Sequence, residues 1–267
     1  MKTKKLNTKN LLLFFTLLAS GLLFYFWGKY DANIQIKNVN NKTIELLKES
    51  LGSQREIIDS LEAIDSTRKA KTFSYVHSAM RRYNPDIKKE TVQLFINITG
   101  VFDLDSTETL FNTCISQLLY ESGAQQRYSS RHPKSGKLVI SSANAIGISQ
   151  ITPPTSYDYL MNSLKTSDHE KLIKLGCDDF KFIEDRNYNT STKKQLITWL
   201  SNEKNNLILW GYIMSKSISK RNGNVDYALI AYNGGPGHLR NYIARNHSTW
   251  NHKYVRKIKS ISKHLGA

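Results

Sequence analysis

With 267 residues, 40% hydrophobic and 10% aromatic, the chain has room for one packed domain plus an appendage and falls outside the disordered class. A formal net charge of +16 calls for a polyanionic neighbour: nucleic acid, anionic lipid or bacterial cell wall. The basic residues are scattered, with no arginine-rich arm or nucleic-acid motif, so nucleic acid has only charge in its favour, and two cysteines without metal-ligand spacing, Cys114 and Cys177, exclude a structural zinc site.

Residues 1–10 carry Lys2, Lys4, Lys5 and Lys9, and residues 11–27 (LLLFFTLLASGLLFYFW) carry no charge. That length sits at the short end of the spanning range of about 17–25 residues and exceeds the apolar core of a cleaved signal peptide. Cleavage after Ala19 or Gly21 would leave an apolar new terminus, so an uncleaved anchor is predicted, with its lysines in the cytoplasm and everything after Gly28 facing outward. No cysteine follows the small residues, which excludes a lipoprotein anchor. The expected organisation is a cytoplasmic tip and transmembrane anchor at 1–28, a helical stalk at 29–71 and a folded domain at 72–267.

In the stalk, Ile44, Leu47, Leu51, Ile58 and Leu61 fall near heptad spacing, interrupted by Gln54. This predicts a helix, either in a short coiled coil or packed on the domain. Two further helical patterns follow between 72 and 99, divided at Asn84-Pro85.

The next helix is predicted over 106–122. Asp105 is its expected cap, and Glu108 completes a capping-box pattern. Phe111, Cys114, Ile115, Leu118 and Leu119 mark one face, and Gly123 is the expected stop. Glu121 lies in the last turn, against the negative end of the helix dipole and beside Leu118, Leu119 and Tyr120. Both effects raise its pKa and favour a protonated acid. Taken alone, the stretch fits a solvated last-turn glutamate as well.

Between 124 and 144, the turn signal Lys134-Ser135-Gly136-Lys137 and the apolar run Leu138-Val139-Ile140 predict a small β-hairpin or lobe over a cleft, the one β element expected. Thr152 suits an N-cap and Pro153 the first helical position. Helices are predicted over 154–164, 168–175, 192–219 and 226–233, the last ending at Gly234-Gly235-Pro236-Gly237.

Three stretches, in order and spacing, resemble the catalytic domain of the soluble-lytic-transglycosylase family, which has a goose-type-lysozyme-like fold. They are Glu121-Ser122-Gly123, the run from Asn144 through Ala145-Ile146-Gly147-Ile148-Ser149-Gln150 to Ile151, and the run from Tyr227 through Ala231-Tyr232-Asn233 to Gly237. Asn206-Leu207 with Gly211-Tyr212, and Tyr254-Val255, are lesser matches. The resemblance covers roughly residues 104–258, and the Asn-Ala-Ile-Gly form together with the anchor leans toward membrane-bound members.

The resemblance implies a mainly α, lysozyme-like domain that cleaves the β-1,4 bond between N-acetylmuramic acid and N-acetylglucosamine in peptidoglycan. One glutamate would act as acid and then base, the muramic acid C6 hydroxyl attacking to leave a 1,6-anhydro end. Carried over by motif position, that glutamate is Glu121. No second carboxylate stands in a motif-like setting, which agrees with a substrate-assisted, single-acid reaction. Substrate contacts are expected from Ser122, Gln150, Tyr232, Asn233, Ser149 and Tyr254, with Asn233 orienting an N-acetyl group and Tyr254 covering the glutamate. Gly147 and Gly211 are expected to serve backbone shape and close helix packing. No cofactor and no metal are expected.

This chain departs from the family pattern at Ser149, where methionine is usual, at Ala124-Gln125-Gln126, where an aromatic-Asn-Pro turn is usual, and before Tyr254, where an acidic residue is missing. The partners expected are glycan strands, the membrane through the anchor, and an envelope-spanning assembly of unstated identity; nucleic acid is not expected. The expected location is the bacterial inner membrane, single-pass, with the domain in the periplasm. A hydrolase of the same fold and a non-catalytic wall-binding module are the alternatives.

Overall fold

The computed structural model describes residues 16–17, 35–127, 136–178, 180 and 187–265. Over these it is mainly α. The helices are α1 (Gln35–Tyr83), α2 (Lys89–Val101), α3 (Glu108–Ser122), α4 (Pro153–Tyr157, prolonged by a π-helical turn, Asp158–Ser163), α5 (Thr166–Lys174), α6 (Thr190–Leu200), α7 (Glu203–Ser219), α8 (Val225–Ala244) and α9 (Lys253–Leu265). The chain divides into two compact units, Met1–Thr67 and Arg68–Ala267.

In the first unit, α1 runs on without a break through the expected stalk, and Ile44, Leu47, Leu51, Ile58 and Leu61 are exposed. Among the described residues no helix is long and apolar enough to cross a membrane. The predicted span at 11–27 lies outside the described residues except for Thr16 and Leu17, which are helical.

In the second unit, α7 has no polar face over residues 205–214, every one of which is buried. A helix of that kind must sit inside the core, and α7 packs against α2, α5, α6 and α8. Gly211 permits the α2 crossing: a Cβ there would lie 2.2 Å from Ile98 Cγ2 and 3.0 Å from the Phe102 ring. The second enclosed helix is α3, buried from Phe111 to Leu119 and packed most extensively against α9. The core reaches back to Val76, Ala79 and Met80 at the end of α1, which lie earlier in the chain than the span of the family resemblance.

Several boundaries differ from expectation for local reasons. Thr107, not Asp105, caps α3, accepting from the Leu110 amide at 3.1 Å; Glu108 is thereby the first helical residue and cannot close a capping box. The single helix expected over 192–219 is two, because Asn202 caps α7 through the Lys204 amide. The helix expected to stop at Asn233 resumes: Gly235 leaves helical geometry (φ 80, ψ 167), and Pro236 then continues the chain to Ala244. Thr152 does cap α4, with Pro153 in its first turn.

The expected β-hairpin is not formed among the described residues. Isolated bridges join Arg127 to Leu138, Ile140 to Ile146 and Ile146 to Ile151, while Lys134 and Ser135 of its turn lie outside the described residues. The loop is held by scattered backbone hydrogen bonds, such as Gly147 N–H to the Val139 carbonyl at 2.8 Å and Ile146 N–H to the Ile151 carbonyl at 2.9 Å, together with side-chain hydrogen bonds. Cys114 and Cys177 are buried and form no disulfide, and burial pushes the Cys114 thiol up to about 12.

Candidate functional site

Helix α3 ends where Gly123 adopts the left-handed conformation (φ 65, ψ 32), its amide bonding back to the Leu119 carbonyl at 2.9 Å. Glycine takes this geometry without steric cost and closes the helix cleanly. Glu121 is thus fixed in a rigid last turn, partly accessible at its surface. Burial raises its carboxyl to about 7, and a hydrogen bond from Tyr254 opposes that rise. Among the described residues no other carboxylate contributes to the shift.

Tyr254 reaches Glu121 from α9, its hydroxyl donating to Glu121 Oε1. It is 3% exposed and meets the exposed Tyr120 edge-on at 5.3 Å between ring centres. Helix α9 is tied to the start of α8 by Lys259 Nζ, 2.6 Å from Asp226 Oδ2, and the same oxygen accepts from Thr249 Oγ1 at 2.9 Å. On the inner side, Gln117 Nε2 donates to Tyr254 Oη at 3.3 Å, and Trp210 Nε1 donates to Gln117 Oε1 at 3.1 Å.

The loop between 139 and 151 forms the adjoining wall. Ser122 Oγ donates to the Ile148 carbonyl at 2.6 Å and accepts from the Gln125 amide at 3.1 Å. Gln126 Oε1 accepts from the Ile148 amide at 2.8 Å, and its Nε2 donates to the Leu200 carbonyl at 3.0 Å. Asn206 accepts from the Ser149 amide at 3.0 Å and from the Ser149 hydroxyl, and donates to the Ile146 carbonyl at 2.9 Å. Gly147 (φ 75) lies against Gln126: a Cβ there would come within 2.3 Å of Gln126 Oε1. From α8, Tyr232 donates to the Ser149 carbonyl at 2.6 Å. It is close enough to Glu121 for the carboxylate's charge to raise its pKa further, after burial as the larger cause.

Of the residues expected to contact a substrate, Tyr254 is therefore at the glutamate and Tyr232 beside it. Ser122 is engaged with the loop backbone. Gln150, with φ 54, donates from its own side chain to the Gly147 carbonyl at 2.8 Å and the Val139 carbonyl at 3.2 Å, an anchoring position. Ser149 is 0% exposed, its hydroxyl satisfied by Asn206, so that side chain offers nothing to a ligand in this arrangement. Asn233 is exposed at the end of the first part of α8.

Sequence reasoning assigned no role to Gln117, Gln126 or Trp210, and noted Asn206 only as a motif residue. Gln117 had a readable signal. It lies three residues after Cys114 and four before Glu121, a polar residue beside the apolar stripe of Cys114 and Leu118. A two-histidine contact also went unseen: His238 Nε2 and His252 Nε2 are 3.1 Å apart, fourteen residues apart in sequence. Among the described residues no group of three or more histidine, cysteine or acidic side chains could hold a metal ion.

This arrangement supplies a carboxyl that is neutral up to about pH 7, steadied by a phenol, beside a loop whose polar groups largely bond one another. It can give a proton and take one back at neutral pH. Compared with family models, curated proteins and solved structures, the chain matches none.

Proposed function

We propose that this chain is a membrane-anchored lytic transglycosylase whose second unit is a goose-type-lysozyme-like domain facing the periplasm. It would cut the β-1,4 bond between N-acetylmuramic acid and N-acetylglucosamine and leave 1,6-anhydromuramic acid ends, remodelling the wall or opening it for an envelope-spanning assembly. The observation that carries this reading is Glu121: a carboxyl with a pKa of about 7, held by Tyr254 and without a second carboxylate acting on it among the described residues, at the motif position of the family's glutamate.

Its chemistry follows from that pKa. Protonated Glu121 gives its proton to the glycosidic oxygen as the C1–O bond breaks. The carboxylate then takes the proton of the muramic acid C6 hydroxyl as that oxygen bonds to C1, so no water is consumed. A group that must be acid and then base works best with a pKa near the ambient pH. Glycosidases that activate water or form a covalent intermediate use two carboxylates, and among the described residues Glu121 titrates with no second carboxylate acting on it. The +16 net charge suits a polymer bearing carboxylates.

The test is mass spectrometry of sacculi digested by the full-length chain. Anhydro-ended muropeptides are expected, released at least about 100-fold more slowly by Glu121→Gln. Products heavier by one water would identify a hydrolase, and wall binding without release would identify a binding module.

A further inference from the structure

The hydrogen bonds that reach Glu121 from inside the core have a direction, and it is set at their far end. Trp210 is 0% exposed and its indole N–H can only donate. The Gln117 atom that receives it must therefore be the carbonyl oxygen. That assignment turns the Gln117 amide nitrogen, another group that only donates, toward Tyr254 Oη. With that oxygen accepting from Gln117, the single hydrogen of the Tyr254 hydroxyl goes to Glu121 Oε1. Three helices contribute: α7 supplies Trp210, α3 supplies Gln117 and Glu121, and α9 supplies Tyr254.

Gln117 is 0% exposed on a helix whose neighbouring positions Ile115 and Leu118 are fully buried. An enclosed amide costs free energy unless it is fully bonded, and an apolar side chain would fill the same space. Packing alone does not call for glutamine here, whereas orienting the phenol does. If the Gln117 amide were reversed, its oxygen would accept from Tyr254 and draw the hydroxyl away from the carboxyl. Trp210 prevents this, because its N–H would then face the amide N–H groups.

We propose that Gln117 is a positioning residue which, held by Trp210, fixes the Tyr254 hydroxyl as a donor to Glu121 Oε1 and so reserves Oε2 for the reacting proton. The assignment of Oε2 to chemistry rests on the reading of Glu121 as the acid and base; the orientation of Tyr254 does not. Tyr254 keeps its own proton throughout, since burial and the facing Glu121 push its pKa far above the ordinary phenol value. Among the described residues, the titratable groups facing Glu121 are Tyr254 from α9 and Tyr232 from α8.

The experiment is a carbon-13 titration of the Glu121 carboxyl in the full-length chain labelled at glutamate, the signal being assigned by its loss in Glu121→Gln. A donor to the carboxylate lowers its pKa, so removing the donor raises it. Trp210→Phe, which frees the Gln117 amide to reverse and draw the Tyr254 hydroxyl from the carboxyl, is expected to move the Glu121 midpoint upward by about half a pH unit or more. Gln117→Met, of similar volume, offers Tyr254 no competing oxygen, so in that background Trp210→Phe should shift the midpoint no further. In a Tyr254→Phe background neither substitution should shift it. A midpoint unchanged by Trp210→Phe, or an equal shift with and without the Gln117 amide or the Tyr254 hydroxyl, would overturn the proposal and leave Gln117 a packing residue. Glycan release is read in parallel, with kcat lowered and KM unchanged in Trp210→Phe. If the wild-type chain releases no glycan, the functional reading fails while the titration still decides the orientation of Tyr254.

Discussion

Glu121 holds its proton up to about pH 7 because burial outweighs the hydrogen bond from Tyr254. Two consequences can be measured. If bond cleavage begins with that proton, the rate falls as pH rises through about 7. Tyr254→Phe removes the opposing donor, so it shifts this limb to higher pH while lowering the maximum; a pH–rate profile of muropeptide release checks both. The second consequence concerns stability and needs no substrate. Unfolded glutamate titrates near about 4.3, so between that value and about 7 the folded state binds the extra proton. Stability from this group is complete below about 4.3 and is lost as pH rises through 7. Glu121→Gln removes the loss, so its melting temperature relative to wild type is expected to be higher at pH 8 than at pH 4.

At the scale of elements, the α2–α7 crossing depends on the missing side chain of Gly211. Alanine would favour the helix by about 1 kcal/mol, but its methyl would sit 2.2 Å from Ile98 Cγ2. Overpacking of a core costs about 1–3 kcal/mol, and a contact this short belongs at the upper end. Gly211→Ala is therefore expected to be destabilising by about 1–2 kcal/mol net, read from urea denaturation at unchanged slope.

The junction of α8 and α9 has a different sensitivity. His252 faces His238 and packs on Tyr242, and burial followed by the charge of His238 lowers its pKa. The unfolded chain then binds more protons than the folded one as pH falls below the ordinary histidine value of about 6.5, so acid weakens this junction. Hydrogen exchange of the 245–256 amides is expected to accelerate between pH 6.5 and 5 beyond its intrinsic trend, with the excess removed in His252→Gln.

For the molecule as a whole, the decisive fact is where the core begins. A fragment spanning residues 104–267 contains every residue of the family resemblance but lacks Val76, Met80, Phe95 and Ile98, all 0% exposed. Burying side chains of this size is worth about 1.5–3 kcal/mol each, and a domain has only about 5–15 kcal/mol of net stability. The fragment 104–267 is therefore expected not to fold, whereas 68–267, a compact unit in its own right, is expected to melt cooperatively by circular dichroism.

Local signals fixed much of the second unit in advance. The Gly123 stop, the Thr152 cap with Pro153, and the apolar face of α3 are decided by neighbours within a turn, which is why they are legible from residue types alone. Glu121 was legible for the same reason, since its helix end and apolar flank are local. The cap of α3 was not: Asp105 was expected, but the backbone is extended at Thr107 and the helix begins after it. Nor could residue types reveal that Gln150 and Ser122 bond the loop backbone at Val139 and Ile148 while Ser149 bonds the Asn206 side chain on α7, because these partners are set by chain folding. The chain by itself determined a mainly helical unit with an acid at the end of a capped, buried helix. The tertiary structure alone brought Trp210, Gln117 and Tyr254 from three helices onto that acid, because hydrogen-bond direction depends on which side chains meet in space.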